Sequence, residues 1–121
     1  NIIAALMKVR LPFNVNRIAQ IATTAALDDD EFVKKSYKNN EAGKEFLYKE
    51  LKRLNLKYTP TYGNFILVHF ECEAKNVFQA AQKRGVILRT ILEYGLPNSL
   101  RITIGTPQQN KRLIEVLRKI I

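Results

Sequence analysis

The sequence is short of the residues that usually carry chemistry. Its single cysteine, Cys72, excludes an internal disulfide framework and fits a reducing compartment. His69 and Cys72 are the only soft metal-ligand candidates, and no C-x-x-C or H-x-x-x-H spacing exists, so no metal site is expected. His69 shares strand parity with Phe65 and Leu67, the setting of a packed strand histidine. There is no G-x-S-x-G elbow to present a nucleophile, and no G-x-x-x-x-G-K-S/T loop to cradle a phosphate. No apolar run approaches the ~18 residues of a membrane span, and no charged-then-apolar leader opens the chain. A cytoplasmic location without a membrane partner is therefore expected.

What is present is ordinary globular material: 121 residues, 46% hydrophobic and 26% charged, enough for one domain with a modest core. The net charge of +9 permits an anionic partner. Its distribution favours a solvated surface, because lysines alternate with acids such as Glu45 and Glu50, and Glu45 stands four residues before Lys49. No block of five or six like charges occurs. A basic nucleic-acid-binding module stays as an alternative, resting on that charge and on Tyr58, Tyr62, Phe65 and Phe70 near one strand.

The spacing of apolar residues predicts helices first. "NIIAALMKVR" begins within a helical pattern, without an initiator Met and without a visible cap, as a portion of a longer protein would. Pro12 breaks that helix, and Asn14 or Asn16 caps the next, whose Ile18, Ile21, Ala22, Ala25 and Ala26 suggest close packing. Asp28 to Asp30 open a long helix with Phe32, Val33, Phe46, Leu47, Leu51 and Leu54 as its stripe and Gly43 inside it. A strand is expected at Phe65 to Phe70, a helix at Ala74 to Arg84 ended by Gly85, and a short strand at "VILR". The turn-rich "EYGLPNS" then leads to the strand "LRITIG". The last helix starts with Thr106 as N-cap, Pro107 at N1 and Gln109 completing a capping box. The expected fold is α+β: N-terminal helices followed by β-α-β-β-α, a small sheet covered by helices.

Two arginines admit both a structural and a functional reading. Arg101 lies on the polar parity of "LRITIG", opposite Leu100, Ile102 and Ile104, and Arg89 ends the preceding strand. If these strands pair antiparallel, both guanidiniums approach one edge or face of the sheet. Two cations held together call for a carboxylate or phosphate between them. Alternatively each pairs with a surface acid such as Glu93, or extends into water.

The stretches "KVRLPFNVN", "PTYGNFILV", "GVILR", "YGLPNSLRITIGT" and "QNKRLIEVL" together resemble the histidinol-phosphate aminotransferases, fold-type I enzymes that use pyridoxal phosphate. The resemblance runs through essentially the whole chain. It implies that residues 1–121 are the C-terminal small domain of a longer aminotransferase whose large, cofactor-binding domain is absent. It implies transfer of an amino group between histidinol phosphate and 2-oxoglutarate (or glutamate) in histidine biosynthesis, by a homodimer. By the same resemblance, Arg101 binds the substrate carboxylate and Arg89 helps receive the phosphate end. Asn64 is read as a turn former, Arg10, Asn14 and Asn16 border the cleft or cap a helix, and the role of Tyr94 is open. The family's cofactor lysine, the aspartate on the pyridinium nitrogen and the phosphate cradle have no counterpart here. No catalytic, cofactor-binding or metal-binding residue is therefore expected in this chain, and alone it should be inactive. An aromatic-amino-acid aminotransferase or a threonine-phosphate decarboxylase of the same family is the nearest alternative.

Overall fold

The computed structural model describes residues 1–10, 13 and 15–121, so Pro12 and Asn14 lie outside the described residues. The chain forms two units, residues 1–34 and 35–121.

The first unit holds α1 (Ile2–Val9), α2 (Arg17–Leu27) and the beginning of α3 (Asp30–Arg53). Contrary to expectation, α1 has a cap: the Asn1 side chain accepts from the Ile3 N–H at 3.0 Å, satisfying one of the free donors of the first turn. Asn16 does the same for α2 through the Ala19 N–H at 2.9 Å, and the Asp29 carboxylate for α3 through the Phe32 N–H at 2.9 Å. Neither α1 nor α2 buries a residue, and Ala22, Ala25 and Ala26 of α2 are exposed rather than closely packed. Phe32 and Val33 are likewise exposed, which shortens the expected stripe of α3 at its N-terminal end.

In the second unit the rest of α3 is followed by β1 (Lys57–Thr59), β2 (Phe65–His69), α4 (Ala74–Gln82), β3 (Arg89–Thr90), a 3₁₀ turn (Leu92–Tyr94), β4 (Ser99–Thr103) and α5 (Pro107–Leu117). The α+β class holds, with one strand more than the expected β-α-β-β-α. Strand β1 is three residues long and sits at the edge of the sheet, too short to show a periodic pattern. The sheet order is β1-β2-β4-β3, with every neighbouring pair antiparallel.

Side-chain alternation then divides the sheet into two faces. Ile66 and Val68 of β2 and Leu100 and Ile102 of β4 point inward. They form one core with Leu47 and Leu51 of α3, Val77 and Ala81 of α4, and Leu113, Ile114, Val116 and Leu117 of α5. Each such aliphatic side chain taken fully out of water stabilises the fold by about 1.5–3 kcal/mol. Helix α4 ends at Gln82 with Lys83 as C-cap, two residues before the expected Arg84, and Gly85 follows at a φ of +76° that a residue with a Cβ adopts only under strain. Helix α5 carries the complete capping box of Thr106 and Gln109 with Pro107 at its first turn.

The loop after β4 is clamped from two helices. The Asn110 amide on α5, buried, accepts from the Gly105 N–H at 2.9 Å and donates to the Gly105 carbonyl at 3.1 Å. Asn39 of α3 donates to the same carbonyl at 3.2 Å. The strand that carries Arg101 is thus fixed at its C-terminal end as well as along both sides.

Candidate functional site

Within the second unit, α3, α4 and α5 cover one face of the sheet, and the other carries the candidate residues in three cross-strand rows. Thr59, Leu67, Arg101 and Arg89 form the central row, in register across all four strands. Lys57, His69 and Ser99 lie on one side of it, and Phe65 and Thr103 on the other.

Both arginines expected at the site are therefore brought together. Arg89 and Arg101 are direct cross-strand partners, so their Cβ atoms point to the same side about 5 Å apart. Like charges in that relation destabilise a sheet unless something negative intervenes. Arg89 reaches Glu93 at 3.5 Å, with both side chains more than half exposed. A pair of that kind is worth at most about 1 kcal/mol, and it leaves Arg89 free to exchange partners. Arg101 differs. It is half-buried, it has no carboxylate within 4 Å among the described residues, and its Nε is buried without a hydrogen-bond partner. Its guanidinium lies over the Phe65 ring, with Cζ 4.9 Å from the ring centroid. The surface-acid alternative thus applies weakly to Arg89 and not to Arg101.

His69 is the packed strand histidine that its parity suggested. Its Nδ1 is hydrogen-bonded to Ser99 Oγ at 2.8 Å and its Nε2 to Thr59 Oγ1 at 3.0 Å. With both ring nitrogens engaged it ties β1, β2 and β4 together and has no lone pair to offer a metal. Among the described residues no group of three His, Cys, Asp or Glu side chains could hold a metal ion. Nor is any described helix long and apolar enough to cross a membrane. Cys72 is exposed, as is Tyr94. The Asn64 carbonyl accepts from the Ile104 N–H at 2.8 Å, which extends the β2–β4 ladder by one bond and agrees with a backbone role for that residue.

The four aromatics behind the nucleic-acid alternative do not make a platform. Tyr58 stacks on Tyr48 at 4.5 Å, Phe70 is buried, Tyr62 stands in solvent and Phe65 lies against Arg101. Single-stranded nucleic acid needs neighbouring rings open on one face.

A cofactor held as an imine needs an amine set in a cavity, and the described lysines are all exposed except Lys44. Lys44 is half-buried and donates to Glu41 at 2.6 Å. That hydrogen bond, more than the burial that opposes it, holds its ammonium above the ordinary lysine value. These residues do not fit a seat for pyridoxal phosphate. A cleft of about 510 Å³ lies between Val86, Ile87 and Leu88 and the start of α5, and it is not lined by either arginine. What the outer face can do chemically is grip a multiply charged anion.

Two features around this sheet escaped the sequence reading. From the sequence Phe65 reads as a strand residue and one of a set of aromatics, because its diagonal relation to Arg101 depends on the β2–β4 register. The Asn39–Gly105–Asn110 clamp joins residues 66 positions apart and leaves no local signal.

The family model for aminotransferase class I and II matches residues 1–117. The histidinol-phosphate aminotransferase of Methylobacillus flagellatus is 49% identical over 120 residues, covering 98% of this chain and 32% of that protein. Histidinol-phosphate aminotransferase 2 of Carboxydothermus hydrogenoformans is 43% identical over 121 residues, covering 100% of this chain and 33% of that protein. The chain thus spans about a third of the length of these curated relatives. Among solved structures, the histidinol-phosphate aminotransferase of Clostridium acetobutylicum matches with a TM-score of 0.79 at 18% identity, over 97% of this chain and 36% of that one. That of Sinorhizobium meliloti, solved in complex with pyridoxal-5′-phosphate, matches with a TM-score of 0.75 at 21% identity, over 97% and 34%. At those identities the likeness is one of fold.

Proposed function

The chain belongs to the aminotransferase class I and II family, and on that premise we propose that it is the small, substrate-gripping domain of a pyridoxal-phosphate-dependent histidinol-phosphate aminotransferase. In this reading residues 1–121 are the C-terminal part of a longer, homodimeric cytoplasmic enzyme that moves an amino group between histidinol phosphate and 2-oxoglutarate. Pyridoxal phosphate would be held by residues outside this chain and would supply an electron sink for chemistry at the substrate Cα.

The observation that carries the proposal is the cross-strand Arg89–Arg101 pair on the uncovered face of the sheet. Arg101 takes the substrate carboxylate with its planar fork, in two parallel charge-assisted hydrogen bonds. When that carboxylate belongs to glutamate, the amino form of 2-oxoglutarate, fixing it aligns the Cα–H bond for proton removal, since one point of attachment would leave it free to rotate. Arg89, exposed and only loosely held by Glu93, swings to the phosphate of histidinol phosphate. Two substrates of different length use the site in turn, and a fixed arginine beside a movable one accommodates both. Guanidinium suits either ligand, because its fork matches carboxylate and phosphate oxygens alike.

The test is amino transfer by the full-length enzyme with and without each arginine. Arg89→Ala is expected to lower kcat/KM for histidinol phosphate by about 10- to 100-fold, the loss of one charge-assisted contact, and to spare an unphosphorylated amino donor. Equal loss for both donors would remove Arg89 from phosphate recognition. Full activity with an aromatic amino acid and none with histidinol phosphate would keep the family and replace the substrate.

A further inference from the structure

A guanidinium that must receive a carboxylate faces a conflict. It needs something to hold its plane, yet an acid of its own chain would occupy the N–H groups meant for the ligand. All five N–H donors lie in the guanidinium plane, so the one way to hold it without using any of them is through its face.

The outer face of the sheet shows this arrangement. Phe65 opens β2 and pairs with Thr103, two residues along β4 from Arg101 and on the same face. Its ring meets the guanidinium at 4.9 Å from Cζ to centroid. The Arg101 Nε is enclosed and has no hydrogen-bond partner, so the packing around it is not a response to a polar contact. Leu67, the direct cross-strand neighbour of Arg101 in the central row, adds an apolar side chain beside it. Phe65 is still 39% exposed, an aromatic ring kept partly in water where a smaller residue would suffice to fill a strand position.

We propose that Phe65 is a positioning residue for Arg101: its ring fixes the guanidinium plane so that the fork meets the substrate carboxylate edge-on. The inference rests on the reading of Arg101 as the carboxylate anchor. Stacking restrains the long side chain before the ligand arrives, which removes part of the ordering that binding would otherwise require. The effect belongs to the carboxylate substrate and is realised on binding.

The experiment is a double-mutant cycle in the full-length enzyme, read as kcat and KM for 2-oxoglutarate. Phe65→Leu is expected to raise KM about tenfold with kcat nearly unchanged, and Phe65→Tyr, which keeps the ring face, to restore it. Arg101→Lys is expected to raise KM by about 100-fold, and Phe65→Leu to add nothing in that background. An unchanged KM in Phe65→Leu, beside a large rise in Arg101→Lys, overturns the positioning role and leaves the anchor standing. A tenfold loss that persists in the Arg101→Lys background overturns it too, since Phe65 would then act independently of the arginine. An unchanged KM in Arg101→Lys overturns the anchor reading and this inference with it. Should Phe65→Leu not fold, Phe65→Met carries the same comparison with Phe65→Tyr.

Discussion

Replacing Gly43 by alanine in the middle of α3 should destabilise the protein, against the ordinary rule for helices. At an open helix position alanine is better than glycine by about 1 kcal/mol. Here a Cβ would stand 2.6 Å from Ile104 Cγ2 and 2.8 Å from Asn110 Nδ2, well inside van der Waals contact. Neither neighbour can easily give way. Both are buried, and the Asn110 amide is committed to Gly105 through two hydrogen bonds. Forcing an extra methyl into such a place costs about 1–3 kcal/mol, and weakening one buried hydrogen bond adds about 1 kcal/mol. After subtracting the helix gain, the net loss is about 1–3 kcal/mol. Equilibrium urea unfolding followed by circular dichroism measures it directly, and the thermal midpoint should fall by roughly 3–6 °C for each kcal/mol lost. A second variant tests the cause: in Gly43→Ala/Ile104→Ala the clashing Cγ2 is gone, so the double variant should lose about 1 kcal/mol less than the sum of the singles. A raised midpoint for Gly43→Ala, or strict additivity with Ile104→Ala, would refute the close approach of α3 to the loop after β4.

The Glu50 carboxylate, 5% exposed and bonded to Arg53 and Arg118 at 2.5 Å each, ties the C-terminal ends of α3 and α5 together. Glu50→Ala should cost about 1–2 kcal/mol in urea unfolding, at the low end for a buried pair because both arginine heads re-solvate; no loss would mean the pairs contribute nothing. Arg101→Met should raise stability by about 0.5–1 kcal/mol, since it removes the repulsion across β3–β4 and the unpartnered Nε. A lowered urea midpoint would show that the cation–π contact outweighs both. The Lys44 ammonium should titrate above 10.5 by NMR and move down in Glu41→Gln. Its folded value is raised, so its contribution to stability is complete at neutral pH and is lost only as pH rises through that raised value.

Where the chain's signals are local, the sequence was a sufficient guide. The Thr106–Pro107–Gln109 start of α5, the left-handed Gly85 after α4 and the alternation of β4 each involve residues within a few positions of one another, and each appears as expected. The pairing of Arg89 with Arg101 was legible as a condition on antiparallel pairing, which the register then met. Strand β1 was not legible, because three residues at a sheet edge carry no period and depend on β2 to exist. The capping of α1 by Asn1 was missed because Asn1 was read as part of the helical pattern, although asparagine is an ordinary N-cap residue. The expected pairing of Glu45 with Lys49 gives way to ion pairs three residues apart, Glu41 with Lys44 and Glu50 with Arg53. Helix periodicity allows both spacings, and the neighbouring elements decide.

Arg101 sits in a strand hydrogen-bonded on both sides, not in a loop. A loop-borne anchor could close over its ligand by bending a few residues. This one cannot travel without carrying β2, β3 and the helices packed behind them. Under the proposed function, any motion that brings Arg101 to a carboxylate is therefore a swing of a rigid body, with its pivot outside the sheet. The opening rate of such a gate is set by whatever resists that pivot, and a mutation far from the arginines could change turnover without touching the grip.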